Sequence, residues 1–93
     1  MTQDRRKRVR YDVNYPAVML TSHGVLKGET RNLSQHGAYI HCQHLLAVDE
    51  KILLIIELPL DEPLELPAHV VWTKTTDADD AGLPQGLGVR FTW

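Results

Sequence analysis

Apolar and polar positions alternate with a period of two through most of this chain. The clearest run begins at Leu64. Leu64, Leu66, Ala68, Val70 and Trp72 mark one face, and Glu65, Pro67, His69, Val71 and Thr73 mark the other. That is the pattern of a strand in a half-buried sheet, and it assigns Trp72 to the core side. Comparable segments cover residues 13–21, 25–32, 38–42, 51–58 and 88–92. Turn chemistry separates them at Ser22-His23-Gly24, at Leu60-Asp61-Glu62-Pro63 and across 77–86. Residues 43–50 have room for one helical turn and no more.

The segment 51–58 departs from simple alternation. Ile52, Leu54, Ile56 and Leu58 lie on one face, yet Leu53 and Ile55 make the other face apolar too, as in a strand covered on both sides. A barrel interior covers only one side. The outer face around Leu53 and Ile55 is therefore expected to meet another copy of the chain, as a homo-oligomer, or an unidentified protein partner.

Six short strands in 93 residues predict an all-β domain, a small six-stranded antiparallel β-barrel, because a sheet this short must close on itself to make a core. A domain of this size buries on the order of 60–65% of its unfolded surface. The longest apolar run, residues 52–56, is strand-sized, so no membrane association is expected. One cysteine, Cys42, excludes an internal disulfide framework and fits a reducing cytoplasm.

Charge is unevenly spread. Residues 4–10 hold five basic side chains and Asp4, a local charge of +4 in a chain whose net charge is −2, so the remainder carries −6. This predicts a flexible basic N-terminal segment, residues 1–10, attached to an acidic barrel, residues 11–93. Such an arrangement attracts a small dianion and repels a long polyanion that meets the body. A basic arm on a small barrel would also suit single-stranded nucleic acid. That use needs exposed aromatics among cations, and the chain is only 6% aromatic, so nucleic acid is not the expected partner.

Catalytic and metal chemistry find little support. His36, His41, Cys42 and His44 are close in sequence, but a strand over 38–42 sends His41 and Cys42 to opposite faces and the paired spacing of a zinc site is missing. No third group accompanies a thiol–imidazole pair. The reading is a chain that is not an enzyme, without metal or cofactor, with Cys42 in the core.

Two short motifs carry the functional signal: Arg6-Lys7-Arg8-Val9-Arg10 and Asn32-Leu33-Ser34-Gln35-His36-Gly37. A guanidinium fork pairs bidentately with phosphate oxygens or with the O6/N7 edge of guanine, and its flat face stacks on a base. Asn32 donates and accepts at a base edge, and the Ser34 hydroxyl suits a phosphate oxygen or a guanine atom. Gly37 permits a positive-φ turn and close approach to the main chain. Taken alone, the second motif is equally a hairpin turn.

In order and separation the two motifs resemble the Arg-x-x-x-Arg and Asp/Asn-x-Ser-x-x-Gly pair of PilZ domains. Ala38-Tyr39-Ile40, Ala68-His69-Val70-Val71-Trp72 and Gly86-Leu87-Gly88-Val89-Arg90-Phe91 also resemble strands of that family. The resemblance implies the same barrel, though the C-terminal helix of many members has no counterpart here, and a receptor for the bacterial second messenger cyclic di-GMP. It assigns ligand binding to Arg6, Arg10, Asn32, Ser34 and Gly37, with Arg5, Arg8 and Trp72 as secondary candidates. Arg5 adds a guanidinium that would suit a second, intercalated ligand molecule. Asn32 in place of the common Asp keeps the hydrogen-bond geometry without the charge. The alternative within the family is an adaptor that binds no ligand.

Overall fold

The computed structural model describes residues 10–75 and 85–92, all of them strand, turn or irregular, with no helix. Its strands are β1 (Arg10–Tyr11), β2 (Pro16–Thr21), β3 (Gly24–Ser34), β4 (Gly37–Cys42), β5 (Lys51–Ile56), β6 (Leu64–Lys74) and β7 (Gly86–Phe91). They run in the order β1-β3-β2-β5-β6-β7-β4, and a further β3–β4 pairing closes β2 to β7 into a six-stranded antiparallel barrel. Closure removes the free edges that an open sheet of this size would expose.

β3 makes closure possible through its length. Its first half, Gly24 to Glu29, pairs with β2, while Gly28 to Leu33 pairs with β4 on the other edge. Where β2 stops, the two-residue β1 continues the same edge, with Arg10 opposite Ser34 and Tyr11 opposite Leu33. This seventh strand was not among those expected from the alternation, because it adjoins the basic run and buries no apolar face of its own. The remainder of the expected flexible segment, residues 1–9, lies outside the described residues.

The six anticipated strands are present with shifted ends. β2 begins at Pro16 rather than residue 13, because Val13 to Tyr15 converge on one residue of β3, Thr30, bonding to its side chain and backbone instead of extending the ladder residue by residue. The Thr30 hydroxyl donates to the Val13 carbonyl at 2.6 Å and accepts the Tyr15 N–H at 2.9 Å. Asn14 Nδ2 adds a bond to the Thr30 carbonyl. Thr30 is fully buried, and these bonds satisfy a group that would otherwise be costly inside the barrel. Residues 43–50 form turns without the helical one; the Asp49 N–H donates to Val70 O and the Val70 N–H to Glu50 O, tying the segment to β6 while Leu46 enters the core.

Met19, Ile40, Leu54, Ile56, Val70 and Leu87 fill the interior, with Cys42 buried among them. Alternation identified those of β5 and β6 but fails at both ends of β6. Leu64, assigned to the same face, is 40% exposed. Trp72 was assigned to the face of Leu66, Ala68 and Val70, yet it is 44% exposed. The β6–β7 register shifts between Val70 and Trp72. Val71 is the extra residue of a bulge, which reverses the parity of everything after it.

Candidate functional site

A second bulge mirrors the first. Between Thr30 and Asn32 the β3–β4 register shifts, leaving Arg31 without a partner, so that Thr30 opposes Ile40 and Asn32 opposes Tyr39. Residues directly opposite each other share a face. Thr30 therefore points inward with Ile40, whereas Asn32 points outward with Tyr39. Strict alternation would have put Thr30, Asn32 and Ser34 on one face. Arg31 and Val71 thus aim Asn32 and Trp72 at the same patch of outer surface.

Two rows of register partners cross this patch. One reads Asn32, Tyr39, Gly88, Trp72. The next contains Gly37, Arg90 and His69. Ser34 sits beside Gly37 at the hairpin, and Arg10 of β1 holds the register position opposite Ser34. The last arginine of the first motif is in this way brought next to the serine of the second, at the margin of an open cleft of about 350 Å³. The cleft is lined by residues including Asn32, Ser34, Gly37, Trp72 and Arg90.

Its floor exists because β7 has glycines outside and apolar residues inside. Tyr39 and Trp72 stack at 5.1 Å between centroids and 15° between planes. A Cβ on Gly88 would fall 2.3 Å from the indole, and one on Gly86 would fall 3.0 Å from Tyr39 Cζ and 2.1 Å from the Ile40 carbonyl. Cross-strand aromatic cover of glycines is a stabilising device in sheets. Here it also leaves Trp72 partly exposed, as a flat apolar surface beside the exposed Arg90. Tyr39 is buried beneath it; burial and the neighbouring Cys42 push its phenol up, opposed by the positive charge of Arg31. The Cys42 thiol is likewise raised by burial.

The hairpin between β3 and β4 is organised by Ser34. Its hydroxyl donates to the Gly37 carbonyl at 3.2 Å and accepts the N–H groups of His36 and Gly37 at 3.3 and 3.2 Å. The Phe91 N–H donates to the His36 carbonyl and ties the turn to β7. Of the two purposes expected of Gly37, the positive-φ turn is not the one it serves. Among the described residues, those with positive φ are Gly24 and Asp49; at Gly37 a Cβ would sit 2.2 Å from the Val89 carbonyl oxygen. Glycine is needed there for the close approach of β4 and β7, within the wall of the cleft.

Of the residues singled out from the sequence, the cleft brings together Asn32, Ser34, Gly37 and Trp72. Arg10 joins them through its backbone register. Arg5, Arg6 and Arg8 lie outside the described residues. Tyr39, Arg90 and Arg31 were missed as site residues. The alternation Gly86-Leu87-Gly88-Val89-Arg90 carried a signal for the first two: outer glycines beside aromatic-bearing strands make a trough, and the next outer position is Arg90. Nothing in the pattern marked Arg31 as a bulge. Among the described residues no group of three or more His, Cys, Asp or Glu is disposed to hold a metal ion, and none forms a helix long and apolar enough to cross a membrane.

A family model described as PilZ domain matches residues 4–93. A search of curated proteins gave no match. Among solved structures, the Bacillus subtilis inhibitor of motility MotI/DgrA is similar with a TM-score of 0.73 and 21% identity, over 98% of this chain and 44% of that one. The chain thus spans less than half of that protein. The PilZ domain with c-di-GMP of YcgR from Escherichia coli aligns with a TM-score of 0.74 and 14% identity, over 95% of this chain and 78% of that one. The PilZ domain of CeSA from a cellulose-synthesizing bacterium gives a TM-score of 0.61 and 22% identity, over 88% of this chain and 79% of that one.

Proposed function

This chain belongs to the PilZ domain family, and from that premise we propose that it is a receptor for cyclic di-GMP that regulates a protein partner and catalyses nothing itself. PilZ domains are regulatory binding domains, and one structural neighbour is the PilZ domain of YcgR with c-di-GMP. The observation that carries the reading is the register of β1 on β3. Arg10 stands opposite Ser34, so a ligand in the cleft of Asn32, Ser34 and Gly37 has the end of the arginine motif at its margin.

Arg6 and Arg10 clamp phosphate and guanine, with Arg5 and Arg8 in support. Asn32 addresses a base edge. Ser34 already spends its proton on Gly37, so its part is to hold the turn and offer a remaining acceptor only when a turn bond lengthens. Gly37 keeps the wall flush, and Trp72 offers its exposed face for stacking a base, with Arg90 beside it. A receptor of this kind meets an intracellular messenger in the cytoplasm, the compartment that the lone Cys42 suggests.

The Tyr39–Trp72 pair next to Arg90 would also suit a base of single-stranded RNA, so the test separates the two. Trp72 and Trp93 are the two tryptophans. In a Trp93→Phe variant, titration with cyclic di-GMP is expected to change the Trp72 emission with saturation, while GTP, cyclic di-AMP and single-stranded RNA at equal concentration do not. An equal response to all four ligands, or none to cyclic di-GMP, contradicts the proposal.

A further inference from the structure

The outer surface of β3, β2, β5 and β6 carries two further cross-strand rows, neither of which shares a residue with the cleft. Val25, Leu20, Leu53 and Pro67 form one row, and Lys27, Val18, Ile55 and Glu65 form the other. Val25 is 61% exposed and Leu20 39%; Pro67 is exposed, and Val18, Leu53 and Ile55 are half-buried. Their immediate neighbours Met19 and Leu54 are completely buried on the other side of the same strands. An acidic row, Glu29, Pro16 and Glu57, bounds the patch. Six contiguous apolar side chains on a surface that the barrel interior cannot cover form a contact surface.

The charges at the two ends of the second row select the occupant. Lys27 lies on β3 and Glu65 on β6, three strand spacings apart, or about 14 Å, and both are exposed without an ion-pair partner among the described residues. They are too far apart to pair within one chain. A two-fold axis in the plane of contact, running parallel to the strands between β2 and β5, reverses each row onto itself. It sets Lys27 of one copy over Glu65 of the other, and the reverse, with Val18 over Ile55 and Leu20 over Leu53. Sheets packed face to face accept this arrangement with their strands aligned to within about 30°.

The geometry points to a symmetric homodimer built on this face, held by the apolar rows and set in orientation by two Lys27–Glu65 pairs. An interface of six apolar side chains is small, below about 1,200 Å² in total, and belongs to the weak and transient class. Two-fold symmetry doubles every substitution, which makes the pairing testable by charge reversal at exposed positions that leave the fold unstrained.

Sedimentation equilibrium of the wild type is expected to show a monomer–dimer transition as concentration rises toward about millimolar. Lys27→Glu alone, or Glu65→Lys alone, sets like charges opposite each other twice and weakens association at least roughly tenfold. The double variant recovers wild-type association. So does an equimolar mixture of the two single variants, because a mixed dimer has both pairs intact. A wild type that remains monomeric at every concentration overturns the proposal. So does association indifferent to both single reversals, or a mixture that associates no better than its components.

Discussion

Two glycines of the site have the same chemistry and opposite consequences when changed. At Gly37 the obstacle to a side chain is the Val89 carbonyl at 2.2 Å, a fixed backbone atom. Gly37→Ala is therefore expected to destabilise the barrel by about 1–3 kcal/mol, read as a lower midpoint in urea, even where no ligand is present. At Gly88 the obstacle is the partly exposed Trp72 indole, which can swing away. Gly88→Ala is expected to keep most of the stability and to lose the Tyr39–Trp72 stack, seen as a changed near-ultraviolet circular dichroism signal.

Burial also gives the core a pH response. Both Cys42 and Tyr39 are raised above their ordinary values of 9.0 and 10.0, so the unfolded chain loses these protons first and the folded state binds more of them. The resulting stability is fully present below pH 9.0 and is lost as pH climbs toward the raised folded-state values. Urea midpoints should be flat from neutral pH to about 9 and fall above it. Cys42→Ala should make that fall shallower, and an unchanged alkaline slope in that variant would contradict the assignment to the thiol.

Strands were legible in the sequence, and their irregularities were not. Alternation located the six barrel strands and the inward positions Leu66, Ala68 and Val70, because a period of two is the direct imprint of a half-buried sheet. It failed at Trp72, since one inserted residue reverses parity without changing composition. Val71 and Arg31 look like ordinary strand residues, and only the partner strand defines them as bulges. The site depends on both. In the Trp93→Phe background, Trp72 should emit as a partly solvated indole and be quenched by acrylamide; a blue-shifted, protected emission would mean that the bulge is absent. The short strand β1 was invisible for a different reason, as Arg10 and Tyr11 gain their order from pairing with Ser34 and Leu33. Ligand binding should slow exchange of the backbone amide hydrogens in β1 more than those in β5, and equal effects would remove β1 from the binding event.

For the molecule as a whole, a six-stranded barrel puts two different surfaces on the outside of one small core. The cleft surface uses β3, β4, β7 and β6, and the apolar surface uses β3, β2, β5 and β6, so the two share only the 11-residue strands β3 and β6. The motif resemblance reached the first surface because its residues have defined chemistry. Leu53 and Ile55 signalled the second through excess hydrophobicity, but the positions of Lys27 and Glu65 at the ends of one row became readable only once the register was known. The central claim concerns the first surface and is met most directly by titration calorimetry with cyclic di-GMP. Saturable heat is expected for the wild type, with Arg6→Ala and Arg10→Ala each weakening affinity roughly tenfold or more, the loss of about 1–3 kcal/mol that a bidentate arginine contact represents. No saturable heat with the wild type, or unchanged affinity in both variants, would contradict the account.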